Sequence, residues 1–206
     1  MFEIGDSVAM SFDARRRLRI MTPEKYLPLA AWLHTDVQPN LAALDELVAV
    51  LQRCRQQERT LIGNGCTVDF VNDLVLLESR YDTWPRQVVP QDVFWPVLQG
   101  MRAFLVTTAR FSALTRPADY PPAVRTTTEH RIEDVRKPVF VNHTYFPPNW
   151  SIEEVREAST AAWGSPDLVA DQTTGAWSGM WRGMEVAGYY DVSTGEAFAV
   201  FPVIGP

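Results

Sequence analysis

Residues 143–203 read HTYFPPNWSIEEVREASTAAWGSPDLVADQTTGAWSGMWRGMEVAGYYDVSTGEAFAVFPV, and this stretch decides the architecture. Pro147 and Pro148 cannot continue a helix or a central strand, so the lead-in is extended. Ser151 and Glu154 have the S-x-x-E spacing of a capping box, which predicts a helix starting there. Ile152, Val155, Ala158, Ala162 and Trp163 recur at three- and four-residue spacings and give that helix an apolar stripe. Gly164 and Pro166 stop it. Three apolar runs follow, at 175–181, 184–190 and 196–201. Arg182-Gly183 and Ser193-Thr194-Gly195 separate them as hairpin turns. One capped helix followed by a meander of antiparallel strands is an α+β unit.

Toward the N-terminus, Val8, Met10 and Phe12 alternate with polar residues, as do Leu18 and Ile20 after a turn at 13–17, which predicts a hairpin. Arg15-Arg16-Arg17 at its tip is either a solvated turn or a loop facing a partner or phosphate. Pro23 opens a short helical or irregular segment in which Pro28 either lies in the first turn or precedes the helix. Asn40 caps a helix to Gln57 whose buried stripe is Leu41, Leu44, Leu47, Val48, Leu51 and Cys54. Gly63-Asn64-Gly65 is a turn, strands at 66–70 and 74–79 flank Asn72-Asp73, and a helix spans 92–110. Residues 116–122 hold three prolines, so 113–137 reads as a linker or strap. The expectation is an α+β fold of two small modules, 1–112 and 138–206, each with antiparallel strands packed on one or two helices.

The chain has 206 residues, 46% of them hydrophobic, and a net charge of −6. Residues 1–113 carry 12 Lys/Arg against 13 Asp/Glu, and residues 114–206 carry 7 against 12. A protein that grips a phosphate backbone needs a basic patch, so this balance disfavours RNA as a ligand. No apolar run approaches a membrane span, since 94–106 is broken by Pro96, Gly100 and Arg102. The opening MFEIGDSVAM lacks the basic head and apolar body of a secretion signal, so the expected location is the cytoplasm unless the chain is exported within something larger. Cys54 and Cys66 make no disulfide framework, and Cys54 reads as a small core residue. His34, read as a helix-end histidine, lies far in sequence from His130 and His143. With no phosphate-cradling glycine loop and no nucleophile elbow either, no metal and no cofactor are expected. Asp36 with Asp45, and Glu153 with Glu154, read as capping or helix-dipole carboxylates.

The strings FPPNWSIEEV, WSGMWRGMEVAGYYD and FAVFP together resemble the C-terminal half of bacterial EndoU-type endoribonuclease domains, which often end polymorphic toxins used between competing bacteria. The resemblance implies cleavage of RNA by two histidines and a lysine, aided by a hydroxyl residue and an aromatic near the C-terminal end. One imidazole removes the 2′-hydroxyl proton, the other protonates the leaving oxygen, and the lysine stabilises charge on the phosphate. By residue type the candidates are His130, Lys137 and His143. Their order departs from the family, where both histidines precede the lysine. Ala199-Val200-Phe201-Pro202 also stands where the family has Thr-Ala-aromatic-Pro, so the hydroxyl is missing.

The string AAWLHTDVQPNLAALDELVAVLQ, residues 30–52, resembles the YacL-type family of small bacterial proteins, and similar small domains are expected as immunity proteins beside toxin genes. Trp32, Leu33, Val37, Asn40, Leu41, Ala42, Leu44, Asp45 and Glu46 carry the likeness. Trp150, Trp163, Trp177 and Trp181, with Tyr189 and Tyr190, either fill a small core or present an aromatic patch to a protein partner. The candidate binding residues are Trp150, Trp177, Trp181 and Tyr189. The functional expectation is a non-enzymatic component of a toxin–immunity system that neutralises a nuclease through an acidic surface. The alternatives are an EndoU-type RNA endonuclease and an α+β binding protein outside any toxin system.

Overall fold

The computed structural model describes residues 2–4, 8–109, 124–128 and 139–205. Strands β1 (Phe2–Ile4), β2 (Val8–Phe12) and β3 (Leu18–Met21) form an antiparallel sheet in that order. The tip of the arginine-rich turn between β2 and β3, Ala14 to Arg16, is exposed, while Arg17 turns inward. The Asp13 carboxylate accepts from the Arg15 and Arg17 backbone N–H groups and from the Arg17 and Arg19 guanidinium groups. Arg17 is buried and donates to the Asp167 carbonyl at 2.6 Å, while Arg15 pairs with the Asp167 carboxylate at 3.0 Å. The basic cluster therefore clamps one half of the chain to the other.

A 3-10 turn (Glu24–Tyr26), helix α1 (Leu27–Trp32) and a π-helical turn (Leu33–Val37) run on continuously. Pro28 sits in the first turn of α1, where its missing N–H leaves no bond unmade. The π turn ends at Gln38, whose φ of 60° and ψ of 154° lie in a region otherwise left to glycine. Helix α2 (Leu41–Gln57) starts on Asn40, whose side chain accepts from Ala43 N at 3.1 Å. Strands β4 (Leu61–Ile62), β5 (Cys66–Val71), β6 (Leu74–Ser79) and β7 (Gln87–Pro90) precede helix α3 (Gln91–Ala109). Helices and strands share one core in which Trp32 stacks on Phe94 with ring centres 5.2 Å apart.

Strands β8 (Val124–Thr128) and β9 (Val139–Tyr145) complete a six-stranded sheet of order β7-β6-β5-β4-β9-β8. All its pairings are antiparallel except β4 with β9, where Leu61 faces Val139. Part of the stretch expected as linker is thus a strand, and the head of the expected second module extends the sheet of the first. The physical reason is the bare edge of the two-residue β4, which a distant segment satisfies.

Helix α4 (Ile152–Trp163) then leads to strands β10 (Val169–Ala170), β11 (Ala176–Trp181), β12 (Met184–Tyr190) and β13 (Ala197–Pro202), which pair antiparallel in that order. The capping box is formed: Ser151 N donates to Glu154 Oε2 at 2.7 Å and Glu154 N to Ser151 Oγ at 3.2 Å. Ile152, expected in the buried stripe, is 58% exposed, whereas Ala158 and Ala162 are fully buried. Contact between α4 and β11 is close, because a Cβ on Gly179 would land on the Ala162 carbonyl.

Period-2 alternation gives the four-stranded sheet two buried faces. Trp177, Met184, Val186 and Tyr190 pack with Ala162 of α4. Ala187, Tyr189, Ala199 and Phe201 pack on the other side, against Tyr81 of the first half. Burial on both faces is why β12 is buried at every position. The fold is α+β, and among the described residues no helix is long and apolar enough to cross a membrane.

Candidate functional site

The seam between the two halves carries a buried polar cluster. The π turn brings Thr35 and Asp36 to the Gly63-Asn64-Gly65 turn, and the Asp36 carboxylate accepts from the N–H groups of Gly65 (3.1 Å) and Cys66 (3.4 Å). The glycines at 63 and 65 are required by close approach. A Cβ on Gly63 would fall on the Asp36 carboxylate, and one on Gly65 would fall on the Tyr189 ring. Asn64 donates to the Thr35 carbonyl and to Thr144 Oγ1, each at 3.1 Å, and accepts from Thr144 N at 3.2 Å. From β12, the Tyr189 hydroxyl lies 3.3 Å from Thr35 Oγ1 and 3.7 Å from Cys66 Sγ.

Gln38 spans the same junction, donating to the Thr35 carbonyl and to Thr144 Oγ1 and accepting from Ile204 N at 3.0 Å. Its side chain thus rewards a backbone geometry that is itself strained. Gln38→Ala loses the hydrogen bonds and keeps the strain, whereas Gln38→Gly loses the bonds and relieves the strain. Urea unfolding should therefore find Gln38→Gly more stable than Gln38→Ala by about 1 kcal/mol, the reverse of the usual order. Equal midpoints would contradict the strained geometry.

Protonation in the cluster follows from burial. Desolvation raises Asp36 to about 6, against the weaker pull of hydrogen bonds from Thr35, Gly65 and Cys66. Burial also pushes the Cys66 thiol and the Tyr189 phenol well up, and the Asp36 charge adds to both shifts. Hydrogen-bond counting agrees with a protonated Asp36. The single Thr35 hydroxyl proton faces two acceptors, the Ala31 carbonyl at 2.9 Å and Asp36 Oδ2 at 2.5 Å. When Asp36 holds a proton it donates to Thr35 Oγ1, and Thr35 donates to Ala31. Cys66 is fully buried with its thiol kept neutral, so the cluster joins the halves and offers no accessible nucleophile.

Beside this cluster a cavity of about 490 Å3 opens between β3, α1 and the β10–β11 end of the meander. Leu18, Ile20, Leu27 and Ala31 line it together with His34 and Ser178. His34 Nε2 stands 3.4 Å from Glu185 Oε1 on β12.

The residues expected to act are dispersed. His130 and Lys137 lie outside the described residues. His143, on β9, is half-buried, and burial together with the Arg80 charge holds its imidazole below the usual range, against a hydrogen bond to the Ile62 carbonyl. Trp177 and Tyr189, expected as surface anchors, are buried: Trp177 packs edge-on against Trp163 at 5.1 Å, and Tyr189 enters the seam. Trp150 and Trp181 are half-buried and meet edge-to-face at 5.2 Å, with the Arg182 guanidinium 4.6 Å above Trp181. Asp45 forms an exposed ion pair with Arg102 at 2.7 Å. Asp36 does not behave as a capping carboxylate, because it is buried at the seam. Its role left no local signal, whereas Glu185, a charge inside the apolar run MEVAGYY, was a visible one.

Among the described residues, no three His, Cys, Asp or Glu side chains are placed to hold a metal ion together. No protein-family profile, curated protein or solved structure matches the chain.

Proposed function

We propose that this chain is a non-catalytic binding protein that captures a basic nuclease through the acidic surface of its C-terminal half, as an immunity protein does. One observation carries this reading. Residues 139–205 hold eight Asp/Glu against two Lys/Arg, so the whole net charge of −6 resides there and the remainder of the chain is balanced. Glu153, Glu154 and Glu157 on α4 are exposed, as are Asp191 and Glu196 in the β12–β13 turn. Such a surface repels RNA and steers a cationic protein toward it. The half-buried pair Trp150 and Trp181 adjoins α4, and Arg182 beside it pairs with Glu157 at 3.2 Å, which supplies aromatic anchoring next to the acids. The toxin–immunity setting follows from the two family resemblances, and with it a site of action in the cytoplasm.

The test is to mix the chain with the nuclease encoded beside its gene and follow RNA degradation. The expected result is binding with protection of RNA, weakened about tenfold or more by the double change Glu153→Lys and Glu157→Lys. Two outcomes would sink the reading: no binding to that nuclease, or RNA cleavage by the chain itself that disappears in His143→Ala.

A further inference from the structure

The cavity of about 490 Å3 lies in the size range of small-molecule sites and is walled by both halves of the chain. Its walls are mainly apolar, with Leu18, Ile20, Leu27, Ala30 and Ala31 supplying one side. Its charged residues are already answered within the protein. The Arg19 guanidinium is held by Asp13 at 2.8 Å. The Asp171 carboxylate accepts from Thr173 N at 2.7 Å and from Thr174 N at 3.0 Å. What remains to a ligand is the hydrogen-bonding capacity of Ser178 and His34. Ser178 is only 4% exposed, lines the cavity, and its hydroxyl hydrogen-bonds no described residue. His34 lines the same space with one ring nitrogen turned to Glu185, and its other nitrogen hydrogen-bonds no described residue. Ser178 Oγ and the second His34 nitrogen are thus polar groups that the cavity wall offers to an entering ligand.

We propose that this cavity binds an uncharged, mainly apolar small molecule carrying one hydroxyl or amide group, which hydrogen-bonds Ser178 and His34 while its body lies against α1 and β3. A phosphate or carboxylate ligand is disfavoured, because the one guanidinium in the lining is shared with Asp13 and the neighbouring Asp171 and Glu185 repel anions. The site is separate from the acidic outer surface, so it stands whether or not a nuclease binds there. A bound molecule bridges α1 in the first half and β11 in the second, and so raises the stability of the whole chain.

The matched probes are 2-naphthol, naphthalene and 2-naphthyl phosphate, followed by calorimetry and by thermal unfolding of the full chain. 2-Naphthol should bind one-to-one with a dissociation constant on the order of 10 to 100 µM and raise the unfolding midpoint. Naphthalene and Ser178→Ala should each weaken binding about five- to tenfold, and 2-naphthyl phosphate should bind no more tightly than naphthalene. Ala30→Phe places a ring in the cavity from a half-buried position and should abolish binding while leaving the circular dichroism spectrum intact. The proposal is overturned if 2-naphthol fails to bind, if the phosphate ester binds as well as the alcohol, or if a folded Ala30→Phe variant binds unchanged.

Discussion

Replacing Gly63 by alanine should destabilise the chain by about 3 kcal/mol or more. The added Cβ would occupy the place of the Asp36 carboxylate. Relief requires either moving the turn, which breaks the Asn64 bonds to Thr35 and Thr144, or expelling the carboxylate from its N–H donors at Gly65 and Cys66. Both routes leave buried polar groups unpaired. Gly205→Ala is the control, since nothing lies within 4 Å of the position its Cβ would take. Urea unfolding of the two variants checks the expectation, and equal midpoints would show that the turn yields without cost.

A second large effect is expected from pH. Asp36 titrates near 6 in the fold, above its ordinary value of 3.8. Between these two values the native state keeps a proton that the unfolded chain has released. Raising the pH through this window therefore favours unfolding. The stabilisation is complete below about pH 4 and gone above about pH 6, and its size is on the order of 3 kcal/mol. Asp36→Asn keeps a neutral side chain that donates to Thr35 Oγ1 and accepts from Gly65 N, so it should lose this slope. His143 acts in the opposite sense, because its lowered pKa favours the neutral form in the fold and adds stability as the pH rises toward 6.5. That contribution is common to both proteins and cancels in the comparison. Unfolding free energies at pH 4, 5, 6 and 7 should converge at the acid end and separate by pH 7, with Asp36→Asn the more stable there. Parallel curves would show that Asp36 is not protonated in the fold.

Both predictions rest on residues whose importance is invisible along the chain. Asp36 lies between two apolar helical segments and reads there as one more helix-end carboxylate. Gly63 and Gly65 were legible as a turn, because glycine punctuates strands wherever the backbone must bend. That the turn must also close on a carboxylate and a tyrosine was not legible, because the Tyr189 hydroxyl that meets Thr35 comes from 154 residues away. The tryptophans show the same limit. Composition tells that aromatic rings are concentrated in 150–181, yet only packing divides them into the buried Trp177 and the half-buried Trp150 and Trp181. His143 was visible as a candidate by type, and the fold gives it a half-buried position with its pKa lowered by burial and by the Arg80 charge.

By itself, the sequence determined the elements whose causes lie within a few residues. The Ser151–Glu154 capping box, the Asn40 cap, the turns at Arg182-Gly183 and Ser193-Thr194-Gly195, and the alternating strands of an α+β chain all formed where local spacing put them. Tertiary structure alone decided how the halves join. The parallel pairing of Leu61 with Val139, the clamp of Arg15 and Arg17 on Asp167, and the seam of Asp36, Asn64 and Tyr189 unite what local pattern divides into two modules. The physical reason is that caps and periodicity are short-range free-energy preferences, whereas a sheet edge or a buried carboxylate is satisfied by whichever distant group the completed fold brings within hydrogen-bonding distance.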